Sequence, residues 1–217
     1  MLTQKQAAKR LGVSQPYLSQ LEKGERPVTA ELALSATALY RLPATALPLP
    51  EAVTEELKGG DVLLTRQLSG LGYPGFAHVR PRKANPAAVV LAALLRKDLE
   101  TRLAEALPWV LLTYSDLDWS WLIHHAKLQD VQNRLGFLVG VAKGLPAADR
   151  VEHRSAFDRL MAAEQQLERA RLARQDTLCR DSMPDAERHW LEANRSSLAR
   201  HWNLLTGLTA DQLSYAR

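Results

Sequence analysis

The chain has 217 residues, of which 46% are hydrophobic and 24% charged, and a formal net charge of +4. This composition is typical of a globular protein, and the longest apolar run, residues 87–95, is far shorter than the roughly 20 residues of a membrane-spanning helix. A single cysteine, Cys179, excludes an internal disulfide and any multi-cysteine metal cluster. The N-terminus has no apolar targeting segment, so the sequence predicts a cytoplasmic protein that does not contact a membrane.

The positive charge is concentrated at the start of the chain. Residues 1–50 carry six basic and three acidic side chains, whereas the other 167 residues carry 22 and 21. A local basic excess favours a polyanionic partner such as nucleic acid, and a chance excess is the alternative.

Two short helices are predicted first. Thr3 is a good N-cap with Gln6 three residues on to complete a capping box, and Gly12 suits the left-handed position that ends a helix. Ser14 caps the second helix, where Pro16 is tolerated because the first-turn amides lack intrahelical partners. Helices of about two turns do not stay folded separately, so these two are expected to cross and bury a shared set of apolar residues. That set is Ala7, Ala8, Leu11, Val13, Leu18 and Leu21.

This unit resembles the helix-turn-helix of phage repressors, the Cro/C1 or XRE family. Glutamine opens the first helix (Gln4), alanine follows four residues later (Ala8), glycine lies in the turn (Gly12), and a hydrophobe lies within the second helix (Leu18). The stretches "LTQKQAAKRLGVS" and "LEKG" match as well. The resemblance covers about residues 2–50 and implies DNA binding; a helical pair used only for protein contact is the alternative.

The resemblance implies that the second helix enters the major groove with its N-terminal residues facing the base edges. Glutamine both donates and accepts hydrogen bonds, which suits bidentate contact with adenine. Gln15 and Gln20 are therefore the expected base-reading residues, assisted by Ser14, Tyr17 and Ser19. Simple solvation is the alternative for each of them.

The same resemblance implies contacts to the DNA backbone. Gln4 begins the first helix, where backbone amides point outward, and is expected to hold a phosphate together with Lys23 and Arg26. Pro16 occupies a position where relatives often carry another base-reading polar residue. Family members also carry a helix before "LTQ", so either the start codon lies upstream or the remainder of this chain replaces that helix.

A third helix is predicted over residues 29–42, with a buried stripe of Leu32, Ala36, Leu39 and Tyr40, and the proline-rich stretch after it reads as a turn and linker. The remaining sequence is helical in pattern, without the alternation of a strand. The predicted helices span residues 61–71, 86–97, 99–113, 118–130, 132–145, 152–178, 184–194 and 196–206. The sequence thus predicts an all-α fold, with a DNA-binding domain over residues 1–58 and a larger helical bundle over 59–217.

The sequence does not predict an enzyme. The six histidines form no HExxH motif, no phosphate-binding glycine loop is present, and Cys179, placed in an arginine-rich helix, has no base near it in sequence. The polar run over residues 125–134 is compatible with a pocket, or with an ordinary polar helix face. Neither a catalytic site, a metal nor a cofactor is expected.

Two features of the second domain favour association between helices. Gly136, Gly140 and Gly144 recur every four residues, and a glycine inside a helix costs roughly 1 kcal/mol relative to alanine. This smooth face predicts a closely packed helix, from the same chain or from a second copy. The long helix carries an apolar stripe that suits either a dimer seam or a core: Phe157, Leu160, Met161, Leu167 and Ala170.

The expected function is that of a homodimeric regulator that binds operator DNA on two half-sites and represses a promoter, chiefly its own. Residues 105–139 resemble an uncharacterised helical domain of bacterial helix-turn-helix proteins, some of which are antitoxins or small-operon regulators. Three hypotheses follow: an antitoxin that binds a cognate toxin, a repressor that responds to a small molecule, and an interaction protein that no longer binds DNA.

Overall fold

The computed structural model describes residues 2–53, 60–146 and 154–213. The chain divides into two compact units, Met1–Leu49 and Pro50–Arg217, which are called the N-terminal and C-terminal units below. The domain boundary predicted at residue 58 lies outside the described residues.

The N-terminal unit consists of three helices, α1 (Gln4–Leu11), α2 (Gln15–Glu22) and α3 (Ala30–Tyr40), followed by a 3-10 turn at Ala44–Ala46. The first two helices cross over a small core of Ala7, Ala8 and Leu18, with Leu11 and Val13 packed against it. Since neither helix is long enough to be stable alone, this shared core is what keeps both folded.

The helix ends are those that the sequence predicts. The Thr3 hydroxyl accepts from the Gln6 amide, and the Gln6 side chain accepts in return from the Thr3 amide at 3.0 Å, which confirms the capping box. Gly12 has a φ of +71° and ends α1, because only glycine adopts this conformation without steric cost. The Ser14 hydroxyl caps α2 by accepting from the Tyr17 amide.

The buried face of α3 differs from the predicted stripe. Its buried residues are Ala33 and Thr37, and the Thr37 hydroxyl donates to the Ala33 carbonyl within the helix. Tyr40, predicted to be buried, is 43% exposed. The other three residues of the predicted stripe are half-buried, so the prediction was wrong for Tyr40 and missed the two most buried residues of the helix, Ala33 and Thr37.

The C-terminal unit is a helical bundle, so the all-α prediction is confirmed. Its helices are α4 (Asp61–Gly70), α5 (Pro86–Leu94), α6 (Thr101–Thr113), α7 (Trp119–Leu128), α8 (Gln132–Lys143), α9 (Arg154–Glu168), α10 (Asp185–Asn194) and α11 (Ser197–His201). Helix α8 lies at the centre, buried over almost its whole length, and packs against α6, α7 and α9. No helix in the described part of the chain is long and apolar enough to cross a membrane.

A small parallel strand pair lies beside α8, where the sequence predicts only helix. Strand β1 (Asp176–Thr177) pairs with β2 (Leu204–Leu205), with Asp176 opposite Leu204. The helices predicted over 152–178 and 196–206 therefore end early, α9 at Glu168 and α11 at His201. Residues 152 and 153 lie outside the described residues.

Buried polar side chains of α8 hold the segment that follows α9 in its extended form. The Asn133 amide donates to the carbonyls of Leu172 and Trp202, both at 2.9 Å, and accepts from the Leu172 amide at 2.8 Å. Arg134 makes a two-point ion pair with Asp176, with Nε and Nη2 each 2.8 Å from a carboxylate oxygen. The Asn133 bonds satisfy backbone groups of Leu172 that a continued helix would have paired internally, and the Arg134 pair holds the chain four residues further on.

Cys179 is not in a helix, contrary to the sequence-based prediction. It follows β1 with a φ of +54°, is fully buried, and its thiol donates to the Ala93 carbonyl at 3.4 Å. Burial raises the pKa of this thiol to about 11, although Arg134 beside it acts in the opposite direction. At neutral pH the thiol is therefore protonated and a poor nucleophile.

The glycine face of α8 packs within the same unit. A Cβ at Gly136 would lie 2.4 Å from the Trp202 ring, and one at Gly140 would lie 2.7 Å from a Leu198 methyl group. The sequence leaves open whether the segment packed on this glycine face comes from the same chain or from a second copy. In the structure it comes from the same chain. Helix α9 is likewise a core helix, which packs on α8 through Ala156, Leu160, Ala163 and Leu167.

Candidate nucleic-acid interface

Helix α2 presents a polar surface on one side and is fixed to the core on the other. Leu18 is 6% exposed and anchors the helix against α1. Gln15 and Lys23, at the two ends of the helix, are exposed, while Tyr17, Ser19 and Gln20 are half-buried. The residues predicted to read bases therefore lie on a rigid, exposed element.

Three polar side chains join the start of α1 to both ends of α2. Gln4 Nε2 donates to Glu22 Oε2 at 2.7 Å, and Gln15 Nε2 donates to Gln4 Oε1 at 3.2 Å. Gln15 and Glu22 are seven residues apart and so lie on one helix face, two turns from each other. The side chain of Gln4 spans the gap between them.

Glu22 is the member of this network that sequence reasoning missed. The stretch "LEKG" had been used only as a family match, without a role for its carboxylate. The signal that could have found it is its seven-residue spacing from Gln15, which places both side chains beside the start of α1. Its carboxylate accepts from the amide of Gln4 that the sequence assigns to a phosphate.

Tyr17, within α2, and Arg26, in the segment after α2, are in contact. The Arg26 guanidinium carbon is 5.6 Å from the centre of the Tyr17 ring, which is within the range of a cation–π contact. Arg26 is exposed beyond the end of α2, so the ring limits the directions in which its side chain points.

The remaining predicted residues are spread around α2. Ser14 uses its hydroxyl oxygen to cap the helix, and its O–H group remains a donor. Ser19 is one turn beyond Gln15 and shares its face, whereas Gln20 is rotated by about 140° from Gln15. Lys23 forms the C-terminal cap through its backbone, and its side chain is exposed.

The charged side chains of the N-terminal unit are all exposed. Lys5, Lys9 and Arg10 lie on α1, and Lys9 and Arg10 are in its last turn, where cations interact favourably with the helix dipole. Glu22 and Glu25 introduce negative charge near the end of α2. The surface is thus basic overall, with carboxylates concentrated at one end of the candidate reading helix.

The polar run over residues 125–134 does not form one pocket lining. Asp130 and Arg134 line a cavity together with Asp176, whereas Asn133 is buried and binds backbone groups, Lys127 is exposed, and His125 Nδ1 donates to the Trp121 carbonyl at 2.9 Å. Among the described residues, no group of three or more His, Cys, Asp or Glu side chains is arranged to hold a metal ion.

Comparison with known proteins identifies the N-terminal unit. Residues 1–47 match the family model described as Helix-turn-helix, so this part of the chain is a helix-turn-helix of the Cro/C1 type. The match supports a DNA-binding transcription regulator. The comparisons with curated proteins and with solved structures gave no match.

Proposed function

We propose that this chain is a sequence-specific DNA-binding repressor in which α2 lies in the major groove and Gln15 reads a base. The observation that carries the proposal is the hydrogen-bonded series from Gln15 through Gln4 to Glu22. It fixes the orientation of an exposed glutamine amide at the N-terminal end of the helix, where helix-turn-helix proteins contact base edges.

The orientation leaves Gln15 with the groups that adenine requires. One N–H of its amide is taken by Gln4, and the second N–H and the carbonyl oxygen remain. Adenine presents an acceptor at N7 and a donor at N6 in the major groove, so this pair of groups matches it in a bidentate contact. Ser19 shares the face of Gln15 and is proposed to contact a neighbouring base, with Ser14, Tyr17 and Gln20 at its edges.

The backbone contacts are proposed to come from Gln4, Lys23 and Arg26. The second N–H of the Gln4 amide remains available beside the bond to Glu22. Lys23 and Arg26 are exposed beyond the last turn of α2, and Tyr17 restrains the Arg26 guanidinium. Such contacts fix the register of the helix in the groove but carry no sequence information directly.

We propose that two copies act together. Helix α2 has only eight residues, and a single small helix-turn-helix makes few base contacts, so useful specificity requires two half-sites about one helical turn apart. The C-terminal unit is proposed to provide the dimer contact and to receive the regulatory signal.

The form of regulation proposed is that of an antitoxin, which represses its own operon and binds a cognate toxin through the helical unit. Its support is the resemblance of residues 105–139 to an uncharacterised helical domain of bacterial helix-turn-helix proteins, some of which are antitoxins. Co-expression with the product of the neighbouring gene tests it: the antitoxin role requires that this chain relieve growth arrest caused by that product and co-purify with it.

DNA binding is tested by titrating the purified chain against its own upstream DNA and a scrambled duplex at two salt concentrations. Sequence-selective binding that persists at the higher salt supports the proposal, because nonspecific phosphate contacts weaken steeply with salt. Equal, weak and salt-sensitive binding to both duplexes would contradict it. The same two titrations with the Gln15→Ala variant show whether the selectivity depends on α2.

A further inference from the structure

A cavity of about 320 Å³ lies in the C-terminal unit between the start of α6, helix α10 and the segments that follow β1 and β2. Its volume is at the lower end of the range for small-molecule sites, which is about 300–1,000 Å³. The cavity is partly open, so a molecule can enter without unfolding the surrounding segments.

The floor of the cavity is apolar and buried. Met183, Leu191 and Leu205 form a small hydrophobic cluster of their own, each 5% exposed or less, and all three line the cavity. The opposite wall comes from Leu99 and Ala104 near the start of α6, and both are buried. The cavity therefore lies where this small cluster meets the main bundle, and an apolar molecule there would join the two.

The charged groups at the cavity favour an uncharged occupant. Arg180 and Glu187 both line it, and they pair with each other, with Nη1 2.6 Å from Oε1. Glu105 is a further carboxylate in the lining. Among the described lining residues the one cation, Arg180, is already paired, so an anion would have to displace Glu187 in order to bind it.

Two further residues of the lining, Trp190 and Thr206, offer specific contacts to a bound small molecule. Trp190 lines the cavity yet is 61% exposed, which is unusual for the largest apolar side chain and leaves a ring face for stacking. Thr206 is 8% exposed, and its hydroxyl oxygen accepts from the Leu208 amide at 3.2 Å. Its O–H group can rotate to donate to an acceptor in the cavity.

We propose that this cavity is a binding site for an uncharged, mainly apolar small molecule with a planar aromatic part. The aromatic part stacks on Trp190, the apolar body lies against Met183, Leu191 and Leu205, and Thr206 donates to a single acceptor. Binding at this site is measured without DNA, so its test stands whether or not the N-terminal unit reads DNA as proposed above.

The experiment compares two fluorescent probes that share a ring system and differ in charge. N-phenyl-1-naphthylamine is uncharged, and 8-anilino-1-naphthalenesulfonate carries a sulfonate on the same skeleton. The uncharged probe is expected to bind the full chain saturably at one site per chain, at least tenfold more tightly than the sulfonate.

Three variants locate the site. Trp190→Ala removes the stacking wall and is expected to weaken binding about fivefold, from the usual strength of an aromatic pair. Gly207→Leu fills the cavity: apart from its chain neighbours, the only described heavy atom within 4 Å of a Cβ there is the Leu191 Cδ2 at 3.9 Å. It is expected to abolish binding. Leu128→Ala changes an equally exposed apolar residue, 64% exposed and outside the cavity lining, and is expected to leave binding unchanged.

The proposal is overturned if the chain shows no saturable binding of the uncharged probe, or if the sulfonate binds as tightly. It is also overturned if Trp190→Ala and Leu128→Ala have the same effect, because the probe would then be on the general surface. The circular dichroism spectrum of each variant shows whether it is folded. Trp190 is exposed, so the test does not depend on Gly207→Leu folding.

Discussion

Gly136 in the middle of α8 lies directly against the indole ring of Trp202. A Cβ at Gly136 would be 2.4 Å from two carbons of that ring, which is too close for carbon atoms that are not bonded to each other. Trp202 is fully buried and follows α11, so this contact fixes the C-terminal segment against the central helix. It explains why the helix has a glycine despite the cost to its intrinsic stability.

Gly136→Ala is therefore expected to destabilise the chain by about 1–3 kcal/mol, the usual cost of overpacking, measured by urea unfolding. Gly140→Ala is the matched control in the same helix, with the same gain in helix propensity. The three atoms nearest to its Cβ would all belong to the Leu198 side chain, the closest at 2.7 Å, and this half-buried side chain can rotate away. An equal loss in the two variants would show that the indole is not a rigid neighbour.

Asn133→Leu is expected to destabilise the chain by about 3 kcal/mol. The substitution keeps the branched shape of the side chain but removes the partner of the Leu172 amide and of the Trp202 carbonyl, while the Leu172 carbonyl keeps its bond from Asn203. Urea unfolding measures the loss. Asn194→Ala is the control: within the described part of the chain, this exposed asparagine bonds only to the carbonyl of Trp190 in its own helix, so its effect should be within about 0.5 kcal/mol.

The role of Asn133 also explains where sequence-based prediction failed. Residues 169–178 contain arginine and alanine, which favour helix, so the local pattern predicts that α9 continues. The extended form is imposed by Asn133 and Arg134, more than 35 residues earlier in the chain. Local signals did predict the caps at Thr3, Gly12 and Ser14, because a cap depends only on residues within one turn.

In the candidate DNA-binding site, too, the local features were predicted from the sequence and the contacts between distant residues were not. The family pattern located α1 and α2 and the exposed glutamines, because these are local properties of a short motif. The bond between Gln4 and Glu22 joins residues 18 positions apart and depends on how the two helices cross. Residue spacing within one helix could suggest this bond, but only the packed structure gives it.

The buried thiol of Cys179 predicts a loss of stability at alkaline pH. Its pKa is about 11 in the folded chain, raised by burial from 9.0, so between these values the unfolded state ionises while the folded state does not. Stability from this group is present below pH 9 and is lost as the pH rises towards 11, by about 2–3 kcal/mol in total. Cys179→Ala should lack this part of the decline in unfolding free energy. Tyr73 and Tyr114, whose pKa values burial also raises, are common to both proteins and cancel in the comparison.

Substitutions in α2 should separate base reading from phosphate contact. Gln15→Ala and Gln20→Ala are expected to relax the sequence preference, with the larger effect at the more exposed Gln15, because a bidentate contact discriminates by about 1–3 kcal/mol. Lys23→Ala should weaken binding to all duplexes alike and reduce the salt slope by about one. Titrations of operator and scrambled duplexes at several salt concentrations measure both quantities. Unchanged selectivity in both glutamine variants would show that another element reads the bases.

Two substitutions of Glu22 should both raise the affinity for all DNA but differ in their effect on selectivity. Glu22→Gln retains an acceptor for the Gln4 amide at the 2.7 Å contact but removes a negative charge near the phosphates. It is expected to tighten binding to all duplexes by about two- to fivefold at low salt, with selectivity unchanged, because charge repulsion is lost and the orientation of Gln15 is kept.

Glu22→Ala removes the acceptor together with the charge, so Gln4 and Gln15 lose their fixed orientation. It should gain a similar amount of nonspecific affinity while its preference for the operator falls towards that of Gln15→Ala. The ratio of operator to scrambled affinity, measured for the two variants side by side, distinguishes the effects. If Glu22→Ala keeps the wild-type ratio, Gln15 does not depend on the network for its orientation, and base reading does not follow from this contact.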